Sequence, residues 1–191
     1  MNPSRLPSLV ASSMTLVVGL AIACVLALAL SPMVVAADTS AVTSPTLPVE
    51  KRDVEFIQQS NQCGLLVTKV SELAIQRNLS GQNLDFAKQV VSDHKSLDKD
   101  LTALASKRGI TLPTALDEDT QKKYDSFAKT EDTKLAKEYL AFAIKEHKKA
   151  VSAFKDAAAD SKDADVRAFA AQYLPQLQVH LDEAKRLKDV Q

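Results

Sequence analysis

Four long stretches of this chain repeat apolar side chains at spacings of three and four, and almost no glycine interrupts them. That period is the helical one, and only four glycines among 191 residues disfavour a turn-rich β fold. The first stretch runs from Asp53 to Asn78 with Phe56, Cys63, Val67, Val70 and Ala74 on one stripe, and Gly81 marks the turn that follows. The second spans Gln82 to Arg108, with Ala87, Val90, His94, Leu97, Leu101 and Leu104 on its seam. Its end, Lys107-Arg108-Gly109, places cations at the negative helix terminus and a glycine ready for a left-handed cap. The third covers Asp132 to Ala159 with Ala136, Leu140, Ala143, His147, Ala150 and Phe154. The fourth starts at Asp163 and carries Val166, Phe169, Tyr173, Leu177, His180, Ala184 and Leu187, with a kink expected at Pro175.

Between the second and third stretches, Pro113 breaks the pattern, and Asp117 to Lys129 read as a short polar connector helix anchored by Tyr124 and Phe127. Four amphipathic helices with apolar stripes wide enough to share a core predict an all-α four-helix bundle occupying residues 53–191.

The N-terminal part is built differently. Arg5 is the only charged residue before Asp38, and Thr15 to Leu30 form a nearly unbroken apolar run. Val34-Val35-Ala36 and Val35-Ala36-Ala37 then offer the small residues a signal peptidase needs. Residues 1–37 are expected to be a signal peptide, with a retained membrane anchor as the alternative, because the run approaches the roughly 20 residues that span a bilayer. Residues 38–52, rich in Ser, Thr and Pro, are expected to be a flexible linker. The protein is therefore expected in the periplasm or envelope of a bacterium, touching the membrane only through the N-terminal segment if that is uncleaved.

Cleavage would remove Arg5 alone among charged residues, leaving a net charge of about −1 and giving nucleic acid no basic surface to bind. Cys63 would then be the only cysteine, so stability must come from packing, and about 150 residues suffice for a single core.

The chain has three histidines, and His94, His147 and His180 fall on the apolar seams of three different helices. At 1.5 Å rise per residue they lie roughly 18 Å and 22 Å into their helices and roughly 15 Å from a helix end, near one level. A buried imidazole without partners costs about 1–3 kcal/mol, so all three must be satisfied. Asp93, Asp98, Glu146 and Glu183 are near enough in sequence to serve. Two readings stay open: a buried polar layer joining the helices, or a metal site suited to zinc or copper rather than calcium or magnesium. Cys63 is a candidate fourth ligand, with a small core residue as its plainer reading. A carboxylate-bridged di-iron centre is disfavoured, because the positions three residues before the histidines are Val91, Ile144 and Leu177.

Ser92-Asp93-His94, the run from Leu104 to Pro113 with Asp117, Glu146-His147-Lys148-Lys149-Ala150-Val151, and Tyr173 to Leu181 together resemble the bacterial family called domain of unknown function 4142. The resemblance spans Asp53 to about Leu187 and implies a ferritin-like helical bundle that is exported. It departs at one place: family members often carry a glutamate three residues after a first-helix glycine, whereas Gly64 is followed by Val67. The family name carries no activity, and the chain offers no phosphate loop or nucleophile motif that would nominate an enzyme. The expected role is structural or binding, with an unknown protein or envelope partner, and the sharper alternative is a metal-binding or stress-protective module using the converging histidines.

Overall fold

The structure, a computed structural model, describes residues 49–190, which are all-α with no strand among them. Its helices are α1 (Lys51–Gln76), α2 (Gly81–Lys107), α3 (Glu118–Ala128), α4 (Leu135–Asp160) and α5 (Ala164–Asp189), and a single 3-10 turn at Asp132–Lys134 leads into α4. The expected signal segment and most of the expected linker lie outside the described residues. The first helix starts two residues before the expected Asp53, because the Glu50 carbonyl already accepts from the backbone N–H groups of Asp53 and Val54. No helix among the described residues is long and apolar enough to cross a membrane.

Helices α1 and α2 both end in the left-handed cap, in which the N–H two residues beyond the cap reaches a carbonyl five positions back. Gly109 does so after α2 at φ 67°, with Ile110 N–H donating to Ala105 O. After α1 the same role falls to Asn78 at φ 64°, with Leu79 N–H donating to Ala74 O. Asparagine is the non-glycine residue that best tolerates this region, which is why α1 stops at Gln76 rather than at Asn78. Asp117 and Asp163 cap α3 and α5 through their carboxylates. Helix α5 passes through Pro175 as one element, giving up a backbone hydrogen bond there.

The order of packing follows from pairs of named residues. Helix α1 packs on α2 and α4, and α5 packs on α2 and α4, so the long helices close a ring with α1 opposite α5 and α2 opposite α4. Arg52 near the start of α1 reaches Asp160 at the end of α4, and Ser71 near the end of α1 meets Tyr139 near the start of α4. Arg108 at the end of α2 holds Asp163 at the start of α5, and Arg186 near the end of α5 reaches Gln82 at the start of α2. Adjacent helices are thus antiparallel, α2 and α4 run in the same direction, and the chain between them must return along the bundle. Helix α3 makes that return while docked on α1. Gln62 Nε2 donates to Ala115 O, and its Oε1 accepts from Asp117 N–H and the Thr120 hydroxyl.

The expected connector anchors hold: Phe127 is buried, and Tyr124 packs partly buried against the same apolar cluster. That cluster gathers Val67, Val70, Phe86, Val90, Tyr139, Leu140 and Ala184 at one end of the bundle. A second gathers Phe56, Leu97, Leu101, Phe154, Phe169 and Leu177 at the other end. Burying the side chains of these two clusters, at about 1.5–3 kcal/mol for each large one, is the main force closing the bundle. On α2, Val90 belongs to the first cluster and Leu97 to the second, with His94 between them. On α5, Leu177 and Ala184 stand likewise on either side of His180.

Candidate metal centre

His94, His147 and His180 are brought together at the boundary between the two clusters, with only 4%, 1% and 3% of their surfaces exposed. One nitrogen of each ring lies within 4.8 Å of the others. The rings of His94 and His180 are stacked at 5.8 Å between centroids, and His147 stands edge-on to both, at 5.4 and 5.2 Å. The level expected from helical rise is therefore met, and three opposed helices supply one ring each.

Hydrogen bonds fix the position of each proton. His147 Nδ1 donates to the Ala143 carbonyl at 2.9 Å; a carbonyl only accepts, so Nε2 keeps its lone pair. His180 Nε2 donates to Asp93 Oδ2 at 2.8 Å, leaving the lone pair on Nδ1. His94 Nε2 lies 3.3 Å from His147 Nε2; facing a lone pair, it carries the hydrogen, and its Nδ1 carries none. Two of these lone pairs, on His94 Nδ1 and His180 Nδ1, are buried without a hydrogen-bond partner.

The electrostatics keep the rings neutral. Burial first, and then the neighbouring His147 and His180, hold the His94 imidazole well below its ordinary range. Burial and His180 lower His147 to about 4, with the bond to Ala143 opposing them. Burial lowers His180 too, against the opposing pull of Asp93. Neutral imidazole is the form that binds a metal ion.

The supporting residues fall into place unequally. Asp93 serves His180 across the α2–α5 interface rather than its sequence neighbour His94. Glu146 is buried, with its carboxylate 3.1 Å from Lys149 Nζ. Asp98 is half-buried, and Glu183 pairs with Arg186. Cys63 is half-buried on α1 and packs against the first cluster; burial pushes its thiol up to about 12, so it is a thiol and not a thiolate at neutral pH. Among the described residues, the group close enough to hold an ion is the three histidines without Cys63. Sequence reasoning missed the Ala143 carbonyl, although a ring one turn further along the same helix is where such a bond forms, and it missed the burial of Tyr139.

The residues fit a metal ion on three counts. The donors are imidazoles, which suit first-row transition ions. The Nε2 atoms of His94 and His147 lie 3.3 Å apart, about the separation of two imidazole nitrogens at 2.0–2.1 Å from one tetrahedral ion, and an ion there would take the place of the hydrogen on His94 Nε2, leaving that ring protonated on Nδ1. His147 and His180 each have the outer hydrogen bond, to a carbonyl and to a carboxylate, that orients metal-bound histidine.

Fold and cluster together define an all-α helical bundle with a buried three-histidine centre. The chain belongs to the family described as "Domain of unknown function (DUF4142)", which matches residues 38–187. Among solved structures it is similar to a crystal structure of a DUF305 fragment from Deinococcus radiodurans, at 12% identity and a TM-score of 0.66, covering 76% of this chain and all of that one. That likeness is one of fold. No curated protein matches the sequence.

Proposed function

We propose that this is an exported metal-binding module, a ferritin-like four-helix bundle that holds a zinc or copper ion on His94, His147 and His180. The observation that carries the reading is the convergence of three buried, neutral imidazoles within 4.8 Å, two of them with an unpartnered lone pair. A purely structural polar layer would leave the buried His180 Nδ1 acceptor uncompensated, at about 1–3 kcal/mol. The parallel course of α2 and α4, with one long crossover between them, supports the ferritin-like description. The apolar N-terminal run supports export, which the N-terminal sequence of the protein recovered from the native envelope fraction tests directly. The near-neutral charge supports a partner other than nucleic acid.

The decisive experiment is metal content by mass spectrometry on untagged protein from its native compartment, beside a His94→Ala/His147→Ala variant. Near-stoichiometric zinc or copper, lost in the variant, is the expected result. A metal-free wild type that also refuses both ions on titration returns the cluster to a structural role.

A further inference from the structure

A cavity of about 360 Å³ opens between α1, α3 and α4, and of the three histidines it reaches His94. Gly64 lies on its wall, and a Cβ placed there would sit 4.0 Å from His94 Nδ1, the nitrogen that is buried and unpartnered. The other nitrogen of the same ring, Nε2, faces His147. One imidazole therefore separates the cavity from the cluster. Cys63 and Glu146 line the cavity beside Gly64, and Asp117 and Asp119 line it where α3 begins.

We propose that this cavity is the port through which the metal ion reaches the histidines, with Glu146 as the carboxylate that receives it. The proposal rests on the metal-binding reading above. Glu146 has a side chain only 5% exposed and is paired with Lys149, whose own side chain is 53% exposed. The lysine stem is free to swing its ammonium into water. A divalent cation that takes the ammonium's place keeps the buried carboxylate paired throughout, so the exchange avoids the cost of an isolated buried charge. From Glu146 the ion meets the lone pair of His94, a nitrogen donor that suits zinc and copper better than it suits calcium. Lys123 also lines the cavity and opposes entry, and Asp117 and Asp119 offset it. On the other side of the bundle, a groove lined by Gln82, Asp85, Gln89 and Glu183 reaches His180, but there the Nε2 hydrogen is already held by Asp93.

The test is stopped-flow uptake of cobalt(II), read by its visible absorption, in full-length protein. Glu146→Gln is expected to slow uptake by about tenfold, the lower end of what charge in a cleft contributes to an association rate. Lys149→Gln is expected to speed it, and Gly64→Leu, which places a side chain in the cavity, to slow it. All three are expected to reach the wild-type end point. Opposite signs from the two members of one ion pair are not produced by a merely structural role. Rates unchanged in Glu146→Gln and Lys149→Gln overturn the port, as does slowing by Glu183→Gln instead, which moves entry to the opposite groove. Loss of the end point in Glu146→Gln makes that residue a resident ligand and also overturns it. If wild type loads and His147→Ala abolishes loading while the port variants change no rate, the metal-binding reading stands and the port alone falls. A wild type that takes up neither cobalt, zinc nor copper removes both.

Discussion

The Nε2 atoms of His94 and His147 stand 3.3 Å apart although their helices, α2 and α4, are opposite members of the ring. Two imidazoles thus meet across the centre of the bundle, where an apolar core would place leucine against leucine. The contact survives in the fold because both rings are neutral. Protonating both would set two positive charges against each other in an almost wholly buried site.

Stability is therefore expected to fall as the pH drops through the histidine range. Unfolded histidine binds a proton near pH 6.5, whereas the folded rings bind it only at lower pH, about 4 for His147. The folded pKa values are depressed, so the stabilisation is complete above about pH 6.5 and is lost as pH falls toward the folded values. His147 alone should account for about 2 kcal/mol of loss by pH 5, which lowers the melting temperature by roughly 5–10 °C relative to pH 7. The triple variant His94→Leu/His147→Leu/His180→Leu should show a much flatter profile between those values. A melting temperature that is equal or higher at pH 5 in the wild type would contradict neutral burial.

Asp93 acts on the cluster through His180 alone. Asp93→Ala removes the acceptor of the His180 Nε2 hydrogen and should weaken zinc affinity by about 10–100-fold, as loss of such an outer partner does. Asp93→Asn retains an oxygen that accepts the same hydrogen, so its loss should be the smaller of the two. Competition titration against a chromophoric chelator measures both.

Arg108 joins the end of α2 to the start of α5 through Asp163 and Asp165, and its side chain is 11% exposed. The bond to Asp163 favours the charged form of Arg108, and on Asp163 burial is outweighed by the bonds from Arg108 and from the backbone of Val166 and Asp165, which hold its carboxyl below the usual range. Arg108→Ala should cost about 2–4 kcal/mol, because it leaves Asp163 largely buried without its cation. Its neighbour Lys107 meets Asp165 at 2.6 Å but is 61% exposed, and Lys107→Ala should cost under about 1 kcal/mol. Urea unfolding of the two variants gives the comparison.

Gly64 lies inside α1, where the absence of a side chain costs the helix about 0.5–1 kcal/mol relative to alanine. Nothing lies closer than 4.0 Å to a Cβ built there, so Gly64→Ala should raise stability by that amount in urea unfolding. A loss instead would show that the wall of the cavity cannot accept even one carbon.

The helices were legible because their apolar seams keep the 3.6-residue period, and every seam residue chosen on α2 and α5 is buried. The common level of the histidines was legible from helical rise alone. What each ring bonds to was not. Asp93 precedes His94 in the chain yet points about 100° away around the helix, toward α5, so its partner depends on which helix lies next to α2. The burial of Glu146 beside His147 escaped as well: periodicity assigns its face of α4 to solvent, whereas it lies in the wall of the cavity shared with α1 and α3. The Asn78 cap was missed because Gly81 offers a stronger turn signal three residues later; both take the left-handed region, Asn78 at φ 64° and Gly81 at φ 57°.

The return of the chain from α2 to α4 has a consequence for how the molecule can be divided. Residues 113–115 are exposed, and a nick there would separate two helical hairpins, one bearing His94 and the other bearing His147 and His180. Neither half owns a complete set of ligands. Reassociation of two separately produced halves would rebuild the cluster, so ion capture would report the joining of the fragments.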